Sequence, residues 1–416
     1  MTMLATTLFA HRYLHRLLAA TLAAFPMLLL ATPSQASDAL SRALRMDHAS
    51  LIAEENGHPA ISHQADRPMI PASTMKILTA LAAIQRWGLQ HRFQTEFLLA
   101  QDGWLWVKGY GDPYLVSQEL DLIVHELRRQ GVDSVAGIGT DDSYFAPDVE
   151  ISGRSSSDNP YDAPVTALAA NFNTVDVARS GGELRSSEAQ TPVTPLARTL
   201  AASHSGGRIN LRQRDLAVRY FGELLAAKLN DAGIGVGTGL RHGKVPNGAK
   251  PLYRHPNSRD LRAVLTAMLK YSNNFIANDL FLLLGDRGDG RPVSMPGAQS
   301  AAAAWATKTF GWQDFRIEDG AGLARENRLT ARQLLDAVKA FAAYRDLLPE
   351  HGRQVMAKTG TLTGVSCYAG YVQRQGRWQP FSLMINQPVA HDFRLRVADA
   401  LVDTPSWSGL CDGRSC

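Results

Sequence analysis

The chain of 416 residues has a formal net charge of +4 and contains three cysteines. Its arginines are scattered rather than interleaved with aromatic residues, which argues against a nucleic-acid partner. No cysteine pair has zinc-ligand spacing with histidine and no His-Glu-x-x-His motif occurs, so we expect neither a metal nor another cofactor. The length predicts two or three domains with an ample apolar core.

The first 36 residues are predicted to be a signal peptide. Basic residues between His11 and Arg16 precede an apolar run at residues 17–31, and Ser34 and Ala36 supply the small residues that a signal peptidase reads. The run is short for a membrane span, so cleavage after Ala36 is favoured over an uncleaved anchor. We therefore expect an exported, periplasmic protein with at most peripheral membrane association.

The motif Ser73-Thr74-Met75-Lys76 places a hydroxyl and an amine three residues apart. On a helix such residues share a face, so the two groups can meet. A serine hydroxyl needs a nearby base to act as a nucleophile, and a buried lysine can lose its proton and serve as that base. Pro71 and the apolar spacing after Lys76 predict a buried helix that begins near Ser73.

The next part of the chain, residues 92–250, is rich in strand patterns separated by Gly and Asp turns. Predicted strands cover residues 93–99, 104–108 and 135–140, and predicted helices cover residues 120–129 and 215–229. Helical spacing resumes after residue 251, and residues 367–373 and 378–385 predict two antiparallel strands. We therefore expect an α/β (α+β) catalytic domain built from residues 37–91 and 251–416, with residues 92–250 inserted as a second domain.

Two further motifs follow the first in order, Ser272-x-Asn274 and Lys358-Thr359-Gly360. Each is weak alone, because short runs of common residues recur by chance. The chain has only nine lysines against thirty-four arginines, however, and Ser-x-x-Lys occurs once. The ordered triple is therefore a specific signal.

The triple resembles the penicillin-recognising serine enzymes. Within them the chain most closely resembles the low-molecular-mass penicillin-binding proteins of the penicillin-binding protein 4 type, which are D-alanyl-D-alanine carboxypeptidases and endopeptidases. The resemblance covers most of the chain after residue 36 and includes residues 109–113, 141–145, 171–174 and 319–323. It implies a β-lactamase/transpeptidase-like domain, with an antiparallel sheet flanked by helices, and an inserted strand-rich domain. The implied partners are peptidoglycan peptide stems and β-lactam antibiotics.

The catalytic roles follow from chemistry and agree with the resemblance. Ser73 is expected to attack the carbonyl of the penultimate D-Ala or of a β-lactam, with Lys76 as base. The second cation, Lys358, helps Lys76 to be neutral. Ser272 is expected to relay a proton to the leaving amine, and Asn274 to bind Lys76 and the substrate amide.

Substrate binding is expected along the third motif. Lys358 and Thr359 offer a cation and a hydroxyl to the terminal carboxylate of the substrate. Gly360 leaves space along the strand, and the backbone N–H groups of Ser73 and Thr361 are expected to form the oxyanion hole.

The resemblance also suggests that Asp158 and Tyr161, in the loop at residues 152–162, read the diaminopimelate side chain of the substrate. In the middle motif, Asn273 stands where the family usually has Asp. Two other functions fit the same motifs: a serine β-lactamase, and a non-catalytic envelope-binding protein with the same fold. For the cysteines, a terminal loop closed by Cys411 and Cys416 is plausible, with Cys367 as an alternative partner.

Overall fold

The computed structural model describes residues 35–352 and 354–407. Most of the predicted signal peptide, and both Cys411 and Cys416, lie outside these residues. Cys367 is buried and forms no disulfide within the described residues.

Within the described residues the chain forms ten α-helices and sixteen strands. The helices are α1 (Gln35–Ala43), α2 (Met75–Trp87), α3 (Ser117–Arg129), α4 (Pro195–Ala201), α5 (Arg214–Asp231), α6 (Leu261–Lys270), α7 (Asn274–Leu284), α8 (Met295–Phe310), α9 (Ala331–Ala340) and α10 (Phe393–Asp403). The strands are β1 (Ala49–Glu55), β2 (His58–His63), β3 (Gln94–Leu99), β4 (Trp104–Gly109), β5 (Ser134–Val135), β6 (Gly137–Asp141), β7 (Thr174–Ser180), β8 (Glu183–Ser186), β9 (Gly207–Asn210), β10 (Gly235–Val236), β11 (Leu240–His242), β12 (Lys250–Pro256), β13 (Glu350–His351), β14 (Val355–Leu362), β15 (Val365–Arg374) and β16 (Arg377–Ile385).

The largest sheet joins the two ends of the described chain. Its strand order is β13-β14-β15-β16-β1-β2, and every neighbouring pair is antiparallel. Side chains alternate between the two faces of a strand. In β1, Leu51 and Ala53 therefore belong to the core with α1 and α10, whereas Ile52 belongs to the core with α2 and α9. This antiparallel sheet with helices on both faces confirms the predicted α+β class.

Helix α2 carries the first motif through the middle of the larger core. Ten of its thirteen residues are buried, as expected for a helix that is enclosed by other elements. It packs against α6, α7 and α9. The element that bears Lys76 is therefore held rigidly from several sides.

A second core lies between residues 94 and 256. Strands in the order β11-β6-β4-β3-β12 form a mixed sheet, which packs against α3 and α5, and β8-β7-β9 form a small antiparallel sheet. The strand predicted at residues 135–140 is divided into β5 and β6, because β5 pairs with β10 whereas β6 pairs with β4. Strand β12 extends this sheet to Pro256. The division into domains at residues 92 and 250 stays a prediction.

Two buried carboxyl groups lie where α7 meets the loop after β4. Asp279 is fully buried, and neither of its carboxyl oxygens has a hydrogen-bond partner in the described part of the chain. Burial raises the pKa of Asp279 well above its ordinary value, and the charge of Asp112 adds to this effect. Burial also raises the pKa of Asp112 to about 6. Burial therefore shifts both groups towards the protonated form in the folded protein.

We expect Asp279→Asn to make the protein's stability less dependent on pH. A carboxyl whose pKa is raised by folding costs nothing below its unfolded pKa, and its cost grows as the pH rises towards the folded pKa. The wild type should therefore lose stability as the pH rises above about 4, and the variant should lose less. Melting temperatures at pH 5 and pH 8 measure this difference, with the exposed Asp148→Asn as control. The prediction is contradicted if Asp279→Asn and the wild type show the same difference in melting temperature between pH 5 and pH 8.

Candidate active site

Ser73 lies in a short 3₁₀ turn, Ala72–Thr74, that leads directly into α2. The turn is held by Thr74, whose backbone N–H and hydroxyl both donate to the carbonyl of Pro71, at 3.3 and 2.6 Å. Ala72 adopts a left-handed φ of 48°, which is strained for a residue with a side chain. The Ser73 hydroxyl is thus presented at the N-terminal end of a buried helix, as the spacing predicted.

Lys76 is fully buried in the first turn of α2. Its ammonium nitrogen, Nζ, lies 3.0 Å from Oγ of Ser73, 2.8 Å from Oδ1 of Asn274 and 2.9 Å from the carbonyl oxygen of Ala321. The first and second sequence motifs therefore meet at one nitrogen atom, although they lie far apart along the chain.

The protonation state of Lys76 follows from its surroundings. Burial lowers its pKa well below the ordinary value, the charge of Lys358 lowers it further, and Asp319 opposes both. A neutral amine has two N–H donors and one lone pair. The two carbonyl oxygens of Asn274 and Ala321 can only accept, so they take the two N–H groups. The lone pair is then directed at the hydroxyl of Ser73, which is the arrangement that a general base requires.

The loop after α8 positions the Ala321 carbonyl, a partner of Lys76 that no sequence motif predicts. The buried carboxylate of Asp319 accepts from the backbone N–H groups of Ala321, Leu323 and Ala324 and from the Asn327 side chain, at 2.7–3.1 Å. A Cβ on Gly322, whose φ is 78°, would lie 1.9 Å from the carbonyl oxygen of Ala72. The sequence signals for this tight loop were the resemblance at residues 319–323 and the two glycines, Gly320 and Gly322, close to Asp319.

The second motif forms the turn between α6 and α7. Asn273 caps α7 by accepting from the backbone N–H of Ile276 at 3.0 Å, and Asn and Asp serve equally well as caps. Asn274 holds Lys76 through Oδ1 and donates through Nδ2 to the carbonyl of Tyr161 at 3.2 Å. Ser272 has a φ of 52°, and its hydroxyl has no hydrogen-bond partner among the described residues.

The third motif lies on β14. Lys358 is buried, and its Nζ donates to the carbonyl of Thr359 at 2.8 Å. Burial, and then the charge of Arg394, lower the pKa of Lys358 to about 8. A Cβ on Gly360 would lie 2.8 Å from the carbonyl oxygen of Pro71 and 3.1 Å from the nitrogen of Ser73. Glycine is therefore needed here because β14 lies directly against the Ser73 turn.

The loop with Asp158 and Tyr161 borders this site from the second core. Tyr161 is 56% exposed, and its backbone carbonyl contacts Asn274. Asp158 forms an ion pair with Arg212. A cavity of about 520 Å³ lies beside Ser272 and is lined in part by Tyr161 and Phe172. The backbone of Tyr161 thus contacts the second motif, whereas Asp158 pairs with an arginine.

Comparisons with known proteins agree with this geometry. The profile of the D-Ala-D-Ala carboxypeptidase 3 (S13) family matches residues 39–204, 196–353 and 348–404. A D-alanyl-D-alanine carboxypeptidase from Actinomadura sp. (strain R39) is 27% identical over 412 residues, which cover 79% of this chain and 76% of that relative. Penicillin binding protein 4 from Haemophilus influenzae superimposes with a TM-score of 0.70 at 21% identity, covering 88% of this chain and 98% of that one. Its structure in complex with a β-lactam gives a TM-score of 0.66 at the same identity and coverage.

The fold is accordingly that of a penicillin-binding protein 4. The chain belongs to the D-Ala-D-Ala carboxypeptidase 3 (S13) family. The predicted family and the predicted enzyme class, a serine-type D-Ala-D-Ala carboxypeptidase, are therefore confirmed. In the part of the chain that the structure describes, no helix is long and apolar enough to cross a membrane.

Proposed function

We propose that Ser73 and Lys76 form the acylation centre of a D-alanyl-D-alanine carboxypeptidase and endopeptidase that acts on peptidoglycan peptide stems. One observation carries this proposal above the others. Lys76 is buried, two of its three partners can only accept hydrogen bonds, and the third is the hydroxyl of Ser73. This arrangement supports proton transfer from Ser73 to a neutral Lys76.

Acylation begins when Oγ of Ser73 attacks the carbonyl carbon of the penultimate D-Ala and its proton passes to Nζ of Lys76. The backbone N–H groups of Ser73 and Thr361 hold the oxyanion of the tetrahedral intermediate. The C–N bond then breaks, and Ser272 relays a proton to the leaving nitrogen. The terminal D-Ala, or the amine of a cross-linking stem, departs, and an ester of Ser73 remains.

Deacylation repeats these steps with water as the nucleophile, which releases the shortened peptide and restores Ser73. A β-lactam follows the same acylation step, but its leaving nitrogen stays tethered within the opened ring. The β-lactam complex of the Haemophilus influenzae relative supports this part of the proposal.

The terminal carboxylate of the substrate is bound by Lys358 and Thr359. Lys358 has no carboxylate within ion-pairing distance in the described part of the chain, so an anionic ligand would complete its surroundings. Tyr161 and Asp158 contact the side chain of the peptide stem in this proposal. Asp158 must then exchange its ion pair with Arg212 for the substrate.

The enzyme acts in the periplasm after cleavage of the signal peptide at Ala36. Residues 37–91 and 251–416 form its catalytic domain and residues 92–250 the inserted domain. The six-stranded sheet, which combines β1 and β2 with strands from the end of the chain, supports this discontinuous arrangement.

The test is incubation of the purified protein with a reporter penicillin and, separately, with a peptide that ends in D-Ala-D-Ala. We expect a long-lived covalent adduct that maps to the peptide containing Ser73, and release of free D-Ala. Rapid release of hydrolysed penicillin without D-Ala would indicate a serine β-lactamase instead. The absence of both acylation and D-Ala release would contradict an enzymatic function and favour a non-catalytic envelope-binding protein.

A further inference from the structure

Arg394 lies on α10, behind the strand that carries the third motif. Arg394 as a whole residue is only 4% exposed. One nitrogen of the guanidinium, Nη1, donates to the carbonyl of Gly360 at 2.9 Å and to Oγ1 of Thr361 at 2.6 Å. Both acceptors belong to the strand at which the substrate is proposed to bind. Arg394 belongs to none of the three sequence motifs, and it lies more than thirty residues after the two acceptors along the chain.

The contact with Arg394 fixes the direction in which Thr361 can donate. A guanidinium has only donors, so the hydroxyl oxygen of Thr361 must use a lone pair for this bond. The single O–H proton of Thr361 is then free to point away from Arg394. Thr361 is an exposed residue, so this proton is available to an anionic ligand at the surface of the site. A charged donor behind the oxygen also makes the O–H group a stronger donor.

The charge of Arg394 has no counter-ion in the described chain. Both acceptors are neutral, and no carboxylate of the described residues lies within ion-pairing distance. Lys358, which lies on β14 together with both acceptors, is likewise buried and lacks a carboxylate partner among the described residues. Buried charges without a partner are costly. Two such cations beside one strand therefore indicate that an anion occupies the adjacent surface in the working enzyme.

We propose that Arg394 is a positioning residue that orients and polarises the Thr361 hydroxyl, so that this hydroxyl binds the terminal carboxylate of the substrate beside Lys358. Arg394 does not touch the substrate; it acts through Thr361. The proposal rests on the proposed function and adds a specificity role, namely a preference for ligands that carry a free carboxylate at this end.

The test compares acylation of Ser73 by benzylpenicillin and by its methyl ester, which lacks the carboxylate. In Arg394→Met, we expect the second-order acylation rate with the acid to fall about 10- to 100-fold, as for loss of a charge-assisted hydrogen bond. The rate with the ester should stay within about twofold of wild type. Arg396→Met, which removes a half-exposed arginine paired with Asp392 on the same helix, is the matched control and should change neither rate.

Three further variants keep the test decisive if Arg394→Met folds poorly. Thr361→Val removes the hydroxyl and should show the same loss with the acid alone. The double variant of Arg394→Met and Thr361→Val should lose no more than either single variant, because both act on one hydrogen bond. Arg394→Lys, which keeps the charge, should recover part of the loss.

A pH profile of the acylation rate tests whether the charge of Arg394 acts on Lys358, whereas the comparison of acid and ester tests its positioning role. The charged and titratable groups that face Lys358 and Arg394 are Lys76, His351, Cys367 and Tyr368. Because the charge of Arg394 lowers the pKa of Lys358, its removal should move the alkaline fall in the acylation rate to higher pH. An unchanged alkaline fall would contradict the effect of the Arg394 charge on Lys358.

Equal losses with acid and ester, or no loss with either, would overturn the role of Arg394. So would an additive double variant. If the wild-type protein is neither acylated by benzylpenicillin nor releases D-Ala, the proposed function fails. If the wild type does both and only the selectivity prediction fails, the inference about Arg394 fails alone.

Discussion

Ser73→Ala is expected to abolish the penicillin adduct and to lower D-Ala release by at least about 10⁴-fold. The variant removes the only atom that can form the acyl ester, and the oxyanion hole and substrate contacts alone give little turnover. Lys76 keeps its bonds to Asn274 and Ala321. We therefore expect the melting temperature to change by no more than about 4 °C. Intact-mass spectrometry and a coupled D-Ala assay measure the two activities.

Ser272→Ala is the informative control for this prediction. Ser272 is proposed to assist the leaving group rather than to form the ester, so this variant should still give a penicillin adduct, formed more slowly. An adduct in Ser73→Ala that maps to another residue would show that the nucleophile has been misidentified. Unchanged D-Ala release in Ser73→Ala would exclude the serine mechanism altogether.

The local part of the site was predictable from sequence because its signals are local. Ser73 and Lys76 are one helical turn apart, so their contact follows from helix geometry. The apolar spacing after Lys76 predicted the burial of α2, and burial is the main cause of the lowered pKa of Lys76. The strand patterns near residues 367–385 similarly predicted β15 and β16, because a buried antiparallel pair has a strong apolar signal.

The parts that the sequence did not reveal depend on contacts between distant segments. The Ala321 carbonyl that completes the Lys76 site is a backbone group, and any residue type could supply it. Arg394 reaches β14 only because α10 packs on the far face of the sheet. The break between β5 and β6 depends on which strands lie beside them. None of these features leaves a periodic pattern in the sequence.

At Gly360 and Asp158 the sequence predicted a functional residue, but the structure gives each of them a different contact from the one expected. Gly360 was expected to make space for the substrate, whereas the structure gives a nearer reason, the close approach of the Pro71 carbonyl. Asp158 was expected to face the substrate, and it pairs with Arg212. Motifs identify residue types that must be present, but the partner of each side chain is decided by tertiary packing.

Lys76→Met is the second variant for which we expect a very large effect. Methionine fills similar space without a titratable group, so the base is removed and the buried volume is retained. General-base catalysis contributes about 10² to 10⁴ in rate, and the formation of the penicillin adduct should slow by about that factor. The acylation rate that remains should also no longer fall as the pH is lowered. In the wild type, the rate rises with pH as Lys76 loses its proton, and the lowered pKa places this rise well below pH 10.

Lys339→Met is the control, because Lys339 is a half-exposed lysine that pairs with Glu54 far from the motifs along the chain. It should leave the adduct rate and its pH dependence unchanged. The double variant Ser73→Ala with Lys76→Met should be no less active than Ser73→Ala alone, since a base without its nucleophile contributes nothing. A Lys76→Met enzyme that keeps the wild-type pH profile would assign the proton to another group. The two acceptor-only partners of Lys76 argue against that outcome, because they leave its lone pair no other direction than Ser73.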